Sequence, residues 1–112
     1  MIRFCAIAIA VLLFAAPAWA IEPFPPGFKT QDIATNGTTL HVRVGGSGPA
    51  VLLLHGFGDT GDMWAPVAAK LVANHTVIVP DLRGMGLSAH PDTGYTKKNE
   101  AVDIAEIGRA HV

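Results

Sequence analysis

Alternating polar and apolar residues predict two short strands in the first half of the chain, KTQDIAT at 29–35 and TLHVRVGG at 39–46. Asn36 and Gly37 lie between these two runs. Asn-Gly is the preferred central pair of a type I′ turn, because both of its residues need a positive φ. The pattern therefore predicts a β-hairpin.

The next part of the chain predicts alternating strands and helices. After a turn, GGSGP, the aliphatic run AVLLL at 50–54 is typical of a strand buried on both faces. Residues 62–75 have helical spacing, with Asp62 as the predicted N-cap. The predicted apolar face of this helix consists of Trp64, Val67, Ala68, Leu71 and Val72. A buried strand at 76–79 and a helix from about Thr96 follow, and this order calls for a parallel sheet with helices on its faces.

The N-terminus has the pattern of a secretory signal peptide. Residues 1–20 combine Arg3, an uninterrupted apolar stretch and the small-x-small sequence Ala18-Trp19-Ala20. The apolar part is shorter than the roughly 20 residues that span a bilayer. We predict cleavage after Ala20, export to the periplasm or the medium, and no stable membrane anchor in the mature protein. An uncleaved N-terminal anchor is the alternative. A proline-rich lead-in occupies residues 21–27.

Composition narrows the classes of function. The chain has 112 residues and a formal net charge of −1, which allows one small domain and does not suggest a nucleic-acid partner. Its single cysteine, Cys5, lies in the predicted signal peptide, so a disulfide scaffold and a thiol nucleophile are both excluded from the mature protein. The histidines outside the motifs below have no metal-ligand spacing, and no metal site is predicted. They are His41, His75, His90 and His111.

A glycine motif joins the aliphatic strand to the first predicted helix. Residues 56–61, GFGDTG, match G-x-G-x-x-G, and Asp81 lies near the offset of about 20 residues where a dinucleotide-binding fold places its ribose acid. Asp59 and Asp62 weigh against that interpretation, because they would put negative charge beside a pyrophosphate. An oxyanion hole and a purely structural turn are the two other interpretations.

Two motifs in a fixed order resemble the α/β-hydrolase superfamily. His55-Gly56-Phe57 follows the aliphatic strand, and DLRGMGLS at 81–88 follows the next strand. In that superfamily a hairpin leads to a strand ending in His-Gly-x, a helix, and a strand ending in Asp-x-Arg-Gly-x-Gly-x-Ser. The resemblance implies an α/β fold: the N-terminal part of an α/β-hydrolase fold, a β-hairpin followed by strand, helix, strand and helix, truncated before the nucleophile elbow. It covers about residues 28–105, a partial domain.

The resemblance also implies roles for the motif residues. The backbone N–H of Phe57 is expected to be an oxyanion-hole donor, and Gly56 is expected to allow the sharp turn that aims it. The other motif residues are expected to hold loops in place rather than to react, with a buried Asp81–Arg83 pair or a capping role favoured. These predicted structural residues are His55, Asp81, Arg83, Gly84, Gly86 and Ser88. Ser88 and Ser47 both lack the second glycine of a G-x-S-x-G elbow.

Within the superfamily, HGF, DLRGMGLS and GYTKKNEAVDIA look most like the epoxide-hydrolase and dehalogenase branch. That branch implies a small-molecule substrate, no cofactor, an aspartate nucleophile and a His–acid pair, and this chain holds none of those catalytic positions. Gly58 stands where epoxide hydrolases usually carry proline, so a serine carboxylesterase acting on an ester is the alternative. Phe57 stands where dehalogenases often need a polar residue. A dinucleotide-binding oxidoreductase and a non-catalytic binding protein are the alternatives from other classes.

The last residues break the helical pattern. Gly108 is expected to interrupt the second helix, and Arg109, Ala110 and His111 offer no apolar face. The segment 107–112, IGRAHV, is what the start of a common sequencing adapter encodes, so we predict that residues 106–112 are not native. The chain is then an inactive N-terminal fragment, and the open edge of its aliphatic strand is expected to make it poorly soluble.

Overall fold

The computed structural model describes residues 23–110, and the predicted signal peptide, residues 1–20, lies outside the described residues. A β-hairpin comes first, with antiparallel strands β1 (Lys29–Thr35) and β2 (Thr38–Gly46). Asn36 and Gly37 form its two-residue turn with φ values of 43° and 76°. Both values lie in the left-handed region that a type I′ turn requires, so the hairpin prediction is confirmed.

The sheet has four strands in the order β1-β2-β4-β3, where β3 is Ala50–Leu52 and β4 is Thr76–Pro80. Strands β3 and β4 are parallel, whereas β4 is antiparallel to β2. The expected parallel arrangement therefore holds only for β3 and β4, because the hairpin joins the same sheet. On its other side β3 has no strand partner among the described residues.

The first helical segment begins as a 3-10 helix, Gly61–Trp64, and continues as helix α1, Ala65–Leu71. Thr60, not the predicted Asp62, is the N-cap: its side chain accepts a hydrogen bond from the Asp62 N–H at 3.3 Å. Four residues of the predicted apolar face, Trp64, Ala68, Leu71 and Val72, belong to or pack against the core. Val67 is exposed instead, and the buried residues of α1 are Ala65 and Ala68.

Helix α2, Lys97–Ala110, covers the other face of the sheet. Its core includes Leu40, Val42 and Ile78 from the strands and Ile104 and Ile107 from the helix. A second core, with Leu53, Ala68, Val77 and Val79, lies on the α1 side. The sheet is thus covered on both faces, as an α/β fold requires. Among residues 23–110, no helix is long and apolar enough to cross a membrane.

The expected break at Gly108 is wrong. Helix α2 continues through Gly108 to Ala110, and Ile107 is fully buried against the sheet. A glycine inside a helix costs only about 1 kcal/mol, less than burial of an isoleucine side chain contributes. The non-native origin of residues 106–112 stays a prediction.

Candidate active site

The loop after β3 is a tight turn. The Asp59 N–H donates to the Gly56 carbonyl oxygen at 3.3 Å, which closes a four-residue turn with Phe57 and Gly58 at its centre. Gly58 has a φ of 76°, as the third residue of a type II turn does. Gly56 has no positive φ, and a Cβ there would meet open space. The sharp turn was expected to depend on the conformational freedom of Gly56, but the residue with a positive φ is Gly58.

Phe57 projects from this turn. Its side chain is 95% exposed. Its backbone N–H donates to no acceptor among the described residues, while the Gly56 carbonyl accepts two hydrogen bonds. The turn follows the carboxyl end of β3, the end at which α/β sheets bind ligands. Phe57 thus presents an unpaired amide at the end of the sheet where a reacting group can approach.

His55 holds the turn to the loop after β4. The Leu82 N–H donates to His55 Nε2 at 2.9 Å, so that nitrogen is an acceptor and the proton of the neutral ring lies on Nδ1. Nδ1 lies 2.8 Å from the Gly56 carbonyl oxygen and donates to it. Both ring nitrogens are occupied by backbone groups and the side chain is buried. In this arrangement His55 has no free nitrogen with which to act as a base.

Asp81 lies at the end of β4 and is fully buried, with 0% exposure. Its Oδ1 accepts from Arg43 Nη1 at 2.9 Å and from the Gly61 N–H at 2.7 Å. Its Oδ2 accepts from the Leu87 N–H at 3.0 Å. Burial opposes ionisation of this carboxyl, but the N–H donors of Leu87 and Gly61 and the Arg43 guanidinium outweigh it, so its pKa is lowered. Asp81 is an ionised anchor for two loops.

Gly86 lies against the Asp81 carboxylate, and Ser88 binds the Asp81 backbone. Gly86 has a φ of 54°, and a Cβ at this position would collide with the Asp81 carboxylate. Ser88 Oγ donates to the Asp81 carbonyl at 2.6 Å and accepts from the His41 N–H at 2.9 Å. The Gly84 N–H donates to the Ala89 carbonyl at 2.9 Å. The Ser88 hydroxyl is buried, donates its proton to a backbone carbonyl and accepts a backbone N–H. No basic side chain among the described residues is bonded to it, so Ser88 is not placed to act as a nucleophile.

Arg83 is paired with Asp103 of α2, not with Asp81. Arg83 Nε donates to Asp103 Oδ2 at 2.9 Å, and Nη2 donates to Oδ1 at 2.8 Å, a bidentate pair. The hydrogen bonds to Asp103 are the main reason that the pKa of Arg83 is raised. The expected Asp81–Arg83 pair is therefore wrong. Asp81 faces the α1 side toward Arg43, whereas Arg83 faces helix α2.

Sequence reasoning missed three residues of these networks: Arg43, Asp103 and Asn36. Arg43 also donates through Nη2 to Asp62 Oδ1 at 2.8 Å, so Asp62 is an ion-pair partner rather than a cap. Arg43 occupies a polar position in the alternating pattern of β2, and Asp103 lies in an ordinary polar position of a helix, so no local signal marked either residue as buried. Only the tertiary contacts reveal that each buried charge has a partner.

Two clefts flank the turn. One, of about 440 Å³, is lined by Phe57 and Gly58 on one side and by Met85, Tyr95 and Lys97 on the other. The other, of about 480 Å³, is lined mainly by apolar side chains of helix α2 and of the loops that follow β3 and β4, including Ile104 and Leu54. The exposed turn therefore borders open volume of the size that small-molecule ligands occupy.

The geometry does not favour a dinucleotide site. The N–H of Gly61, the third glycine of the motif, is taken by Asp81 at 2.7 Å. The Asp81 carboxylate is fully bonded and buried, so it cannot reach a ribose hydroxyl. No group of three or more potential metal-ligating side chains occurs among residues 23–110.

The chain resembles known proteins over most of its described length. The family model described as "Alpha/beta hydrolase family" matches residues 51–112. An epoxide hydrolase from Caballeronia sordidicola is 50% identical over 66 residues, which cover 58% of this chain and 20% of that protein. A fluoroacetate dehalogenase from a Burkholderia species is 48% identical over 88 residues, covering 74% of this chain and 29% of that protein.

Solved structures agree with these relatives. The Cif epoxide hydrolase from Acinetobacter nosocomialis superimposes with a TM-score of 0.74 at 30% identity, covering 81% of this chain and 29% of that one. The chain therefore spans between a fifth and a third of the length of these proteins.

Proposed function

The chain belongs to the alpha/beta hydrolase family, and from that premise we propose that it is the N-terminal part of an epoxide-hydrolase-like enzyme. In this proposal the described residues supply one half of the oxyanion hole, and the substrate is a small epoxide. The names of two relatives, an epoxide hydrolase and a soluble epoxide hydrolase at 50% and 42% identity, support this choice of substrate class.

The chemistry explains why a backbone amide is the useful group. In the branch that the chain resembles, an aspartate carboxylate forms a new C–O bond to a ring carbon while the ring C–O bond breaks. Water then attacks the carbonyl carbon of the resulting ester, and negative charge develops on that carbonyl oxygen. A fixed N–H stabilises that charge without reorganising, which is the largest single contribution in many hydrolytic enzymes. Here the Phe57 N–H is unpaired among the described residues and lies at the carboxyl end of β3.

The single observation that carries the proposal is the combination of a free amide with a rigid support. The Gly56 carbonyl is held from both sides, by His55 Nδ1 and by the Asp59 N–H. His55 in turn binds the Leu82 N–H, and Asp81 fixes the start of the next helix through Gly61. The donor is thus preorganised before any substrate arrives.

The nucleophile and the residues that activate water are proposed to lie in sequence that continues past residue 105. Within residues 23–110, the two fully buried aspartates, Asp81 and Asp103, are both neutralised by arginines. Neither carboxylate is free to attack a substrate. The 112-residue polypeptide alone is therefore expected to show no hydrolase turnover in an epoxide or ester assay.

The test uses the full-length enzyme encoded by the gene and replaces Phe57 in two ways. Phe57→Pro removes the N–H but suits the second position of the turn, where proline is favoured. Phe57→Ala keeps the N–H and removes the ring. We expect Phe57→Pro to lower kcat for an epoxide by about 10²–10³-fold, as removal of one oxyanion donor does elsewhere. Equal kcat values for the two variants would contradict the proposal.

A serine carboxylesterase is the second candidate, and one observation favours it. Gly58 has a φ of 76°, which proline cannot adopt because its ring holds φ near −65°. The turn therefore differs from the His-Gly-x-Pro pattern expected of epoxide hydrolases. Covalent labelling of the full-length enzyme by a serine-directed phosphonate, with turnover of an aryl ester and none of styrene oxide, would select this candidate.

Export through a signal peptide is also proposed. It rests on the pattern of residues 1–20, with cleavage after Ala20. N-terminal sequencing of the protein recovered from the periplasm or medium should begin at Ile21. Recovery from the cytoplasm with Met1 intact would contradict this proposal.

A further inference from the structure

The turn of the β1–β2 hairpin is bound tightly to helix α2, and this contact suggests a chemical modification site. Asn36-Gly37 is the one Asn-Gly pair in the sequence. We propose that Asn36 is a site of spontaneous deamidation whose rate is controlled by the docking of helix α2, and that the modification prevents the helix from docking again. This inference does not depend on the hydrolase proposal.

The Asn36 side-chain amide is held entirely by α2. Its Nδ2 donates to Asp103 Oδ1 at 2.8 Å, to Asn99 Oδ1 at 3.0 Å and to the Asn99 carbonyl at 3.3 Å. Its backbone is held as well, because the Asn36 N–H donates to Glu106 Oε2 at 2.9 Å and its carbonyl accepts from Arg83 Nη2 at 3.0 Å. The Nδ2, the N–H and the carbonyl of Asn36 are thus each bound by residues at least 47 positions away in the sequence.

The chemistry needs only water. The Gly37 backbone nitrogen loses its proton and attacks Asn36 Cγ, so that a new C–N bond forms and the Cγ–Nδ2 bond breaks. The Nδ2 nitrogen takes up that proton through solvent and leaves as ammonia, and a succinimide ring joins residues 36 and 37. Water then opens the ring at either carbonyl to give aspartate or isoaspartate. Glycine favours the attack because no side chain shields its nitrogen.

The docked helix opposes the first step. For Cγ to swing onto the Gly37 nitrogen, the amide must rotate, and rotation breaks its hydrogen bonds to Asn99 and Asp103. A group bound in this way reacts mainly from states in which the helix has opened locally. The rate of deamidation therefore reports how often α2 leaves the hairpin turn.

The product cannot restore the contact. A carboxylate at position 36 loses both N–H donors and places a negative charge beside the Asp103 carboxylate, 2.8 Å from the present nitrogen. Like charges at this distance repel strongly in a partly buried site. The nearby positive charge is the Arg83 guanidinium, but it is already bound by Asp103 in a bidentate pair. Deamidation thus converts a reversible opening of α2 into a lasting one.

Mass spectrometry of the full-length protein encoded by the gene, incubated in mildly alkaline buffer, tests the proposal. Isoaspartate is detected on the peptide that contains Asn36, and the reference is the same chain in denaturant. We expect the native chain to react at least about tenfold more slowly than the denatured chain, because local opening has a free-energy cost. Equal rates in the two conditions would overturn the proposal.

Two matched variants separate helix opening from global unfolding. Ile104 on α2 and Leu53 on the opposite face of the sheet are each 9% exposed. Ile104→Ala should accelerate deamidation by about tenfold or more, whereas Leu53→Ala should change it by less than about threefold when both are measured below their unfolding transitions. Equal acceleration by both variants would show control by global unfolding and would refute helix control.

A third variant tests the consequence of the modification. Asn36→Asp should increase amide hydrogen exchange within α2 while exchange in β2 and β4 stays close to that of the parent chain. Asn36→Ser, which removes the amide without adding charge, is the control and should have the smaller effect. Unchanged exchange of α2 in Asn36→Asp would contradict the second half of the proposal.

Discussion

The loops that follow β3 and β4 leave the same edge of the sheet but satisfy their polar groups in opposite ways. In the loop after β4, Asp81, Arg83 and Ser88 are buried, and each side chain is bound by several partners. In the loop after β3, Phe57 is almost fully exposed and its amide has no acceptor among the described residues. The charged motif thus holds the two loops in place, and the motif without charge leaves a backbone amide exposed.

This contrast explains why the more conspicuous residues are the less reactive ones. A buried ion such as Asp81 must be paired and hydrogen-bonded, so its carboxylate oxygens are bound by groups of the protein itself. A backbone amide in a tight turn has no such requirement if the turn faces solvent. The contrast can be tested by perturbing each loop in a matched way.

The largest effect is expected for the buried pair that holds the β4 loop to α2. Asp103→Ala leaves the Arg83 charge buried without its bidentate partner, which should lower the free energy of unfolding by about 3–5 kcal/mol. Asp32→Ala is the control, because Asp32 pairs with His41 at 2.9 Å but is 69% exposed. It should cost less than about 1 kcal/mol. Urea denaturation of both variants measures the difference, and similar costs would show that the Arg83 pair is dispensable.

A smaller effect separates two glycines with the same backbone handedness. Gly86→Ala should lower the free energy of unfolding by about 3 kcal/mol. An alanine is strained at a φ of 54°, and its methyl group would also displace the Asp81 carboxylate. Gly58→Ala should cost only about 1 kcal/mol, because its φ of 76° is strained but open space surrounds it. Thermal melts of the two variants compare the loops directly. Equal losses would mean that crowding around Asp81 is relieved without cost.

The smallest effect is the pH dependence of the β4 loop. Because the pKa of Asp81 is lowered in the folded protein, its contribution to stability is present above the ordinary value of 3.8 and is lost as pH falls through the lower folded value. The pKa of Glu106 is also lowered, chiefly by the Thr35 hydroxyl and also by the Asn36 N–H.

Melting temperatures between mildly and strongly acidic pH check this prediction. Asp81→Asn should reduce the loss of melting temperature at acidic pH. Glu106→Gln measures how much of that loss comes from Glu106. An Asp81→Asn variant with the same acid sensitivity as the parent chain would show that Asp81 is not the group responsible.

Much of the secondary structure could be predicted from local signals. The Asn36-Gly37 turn, the run after Pro49 and the helix after Thr96 have short-range patterns that determine backbone conformation. Two predictions failed because the outcome depended on distant partners. Asp62 pairs with Arg43, and Ile107 is buried by the sheet.

The site shows the same division. The order of two motifs predicted the family, and the chain belongs to the family that these motifs resemble. The partners of its charged residues could not, because β2 lies beside β4 only in the folded sheet. Because the two strands are adjacent, Arg43 lies beside Asp81. Arg83 instead pairs with Asp103 of helix α2, on the other face of the sheet.

The amino-acid sequence alone determined the hairpin turn and the order of strands and helices, since these follow from steric limits on neighbouring residues and from the spacing of apolar positions. The expected role of the Phe57 amide came from the resemblance to a family. Only the tertiary structure decided which carboxylate meets which arginine, and that Asn36 binds helix α2. The physical reason is that a buried charge or amide binds whichever partner the packing brings within hydrogen-bonding distance, and local sequence carries no record of that distance.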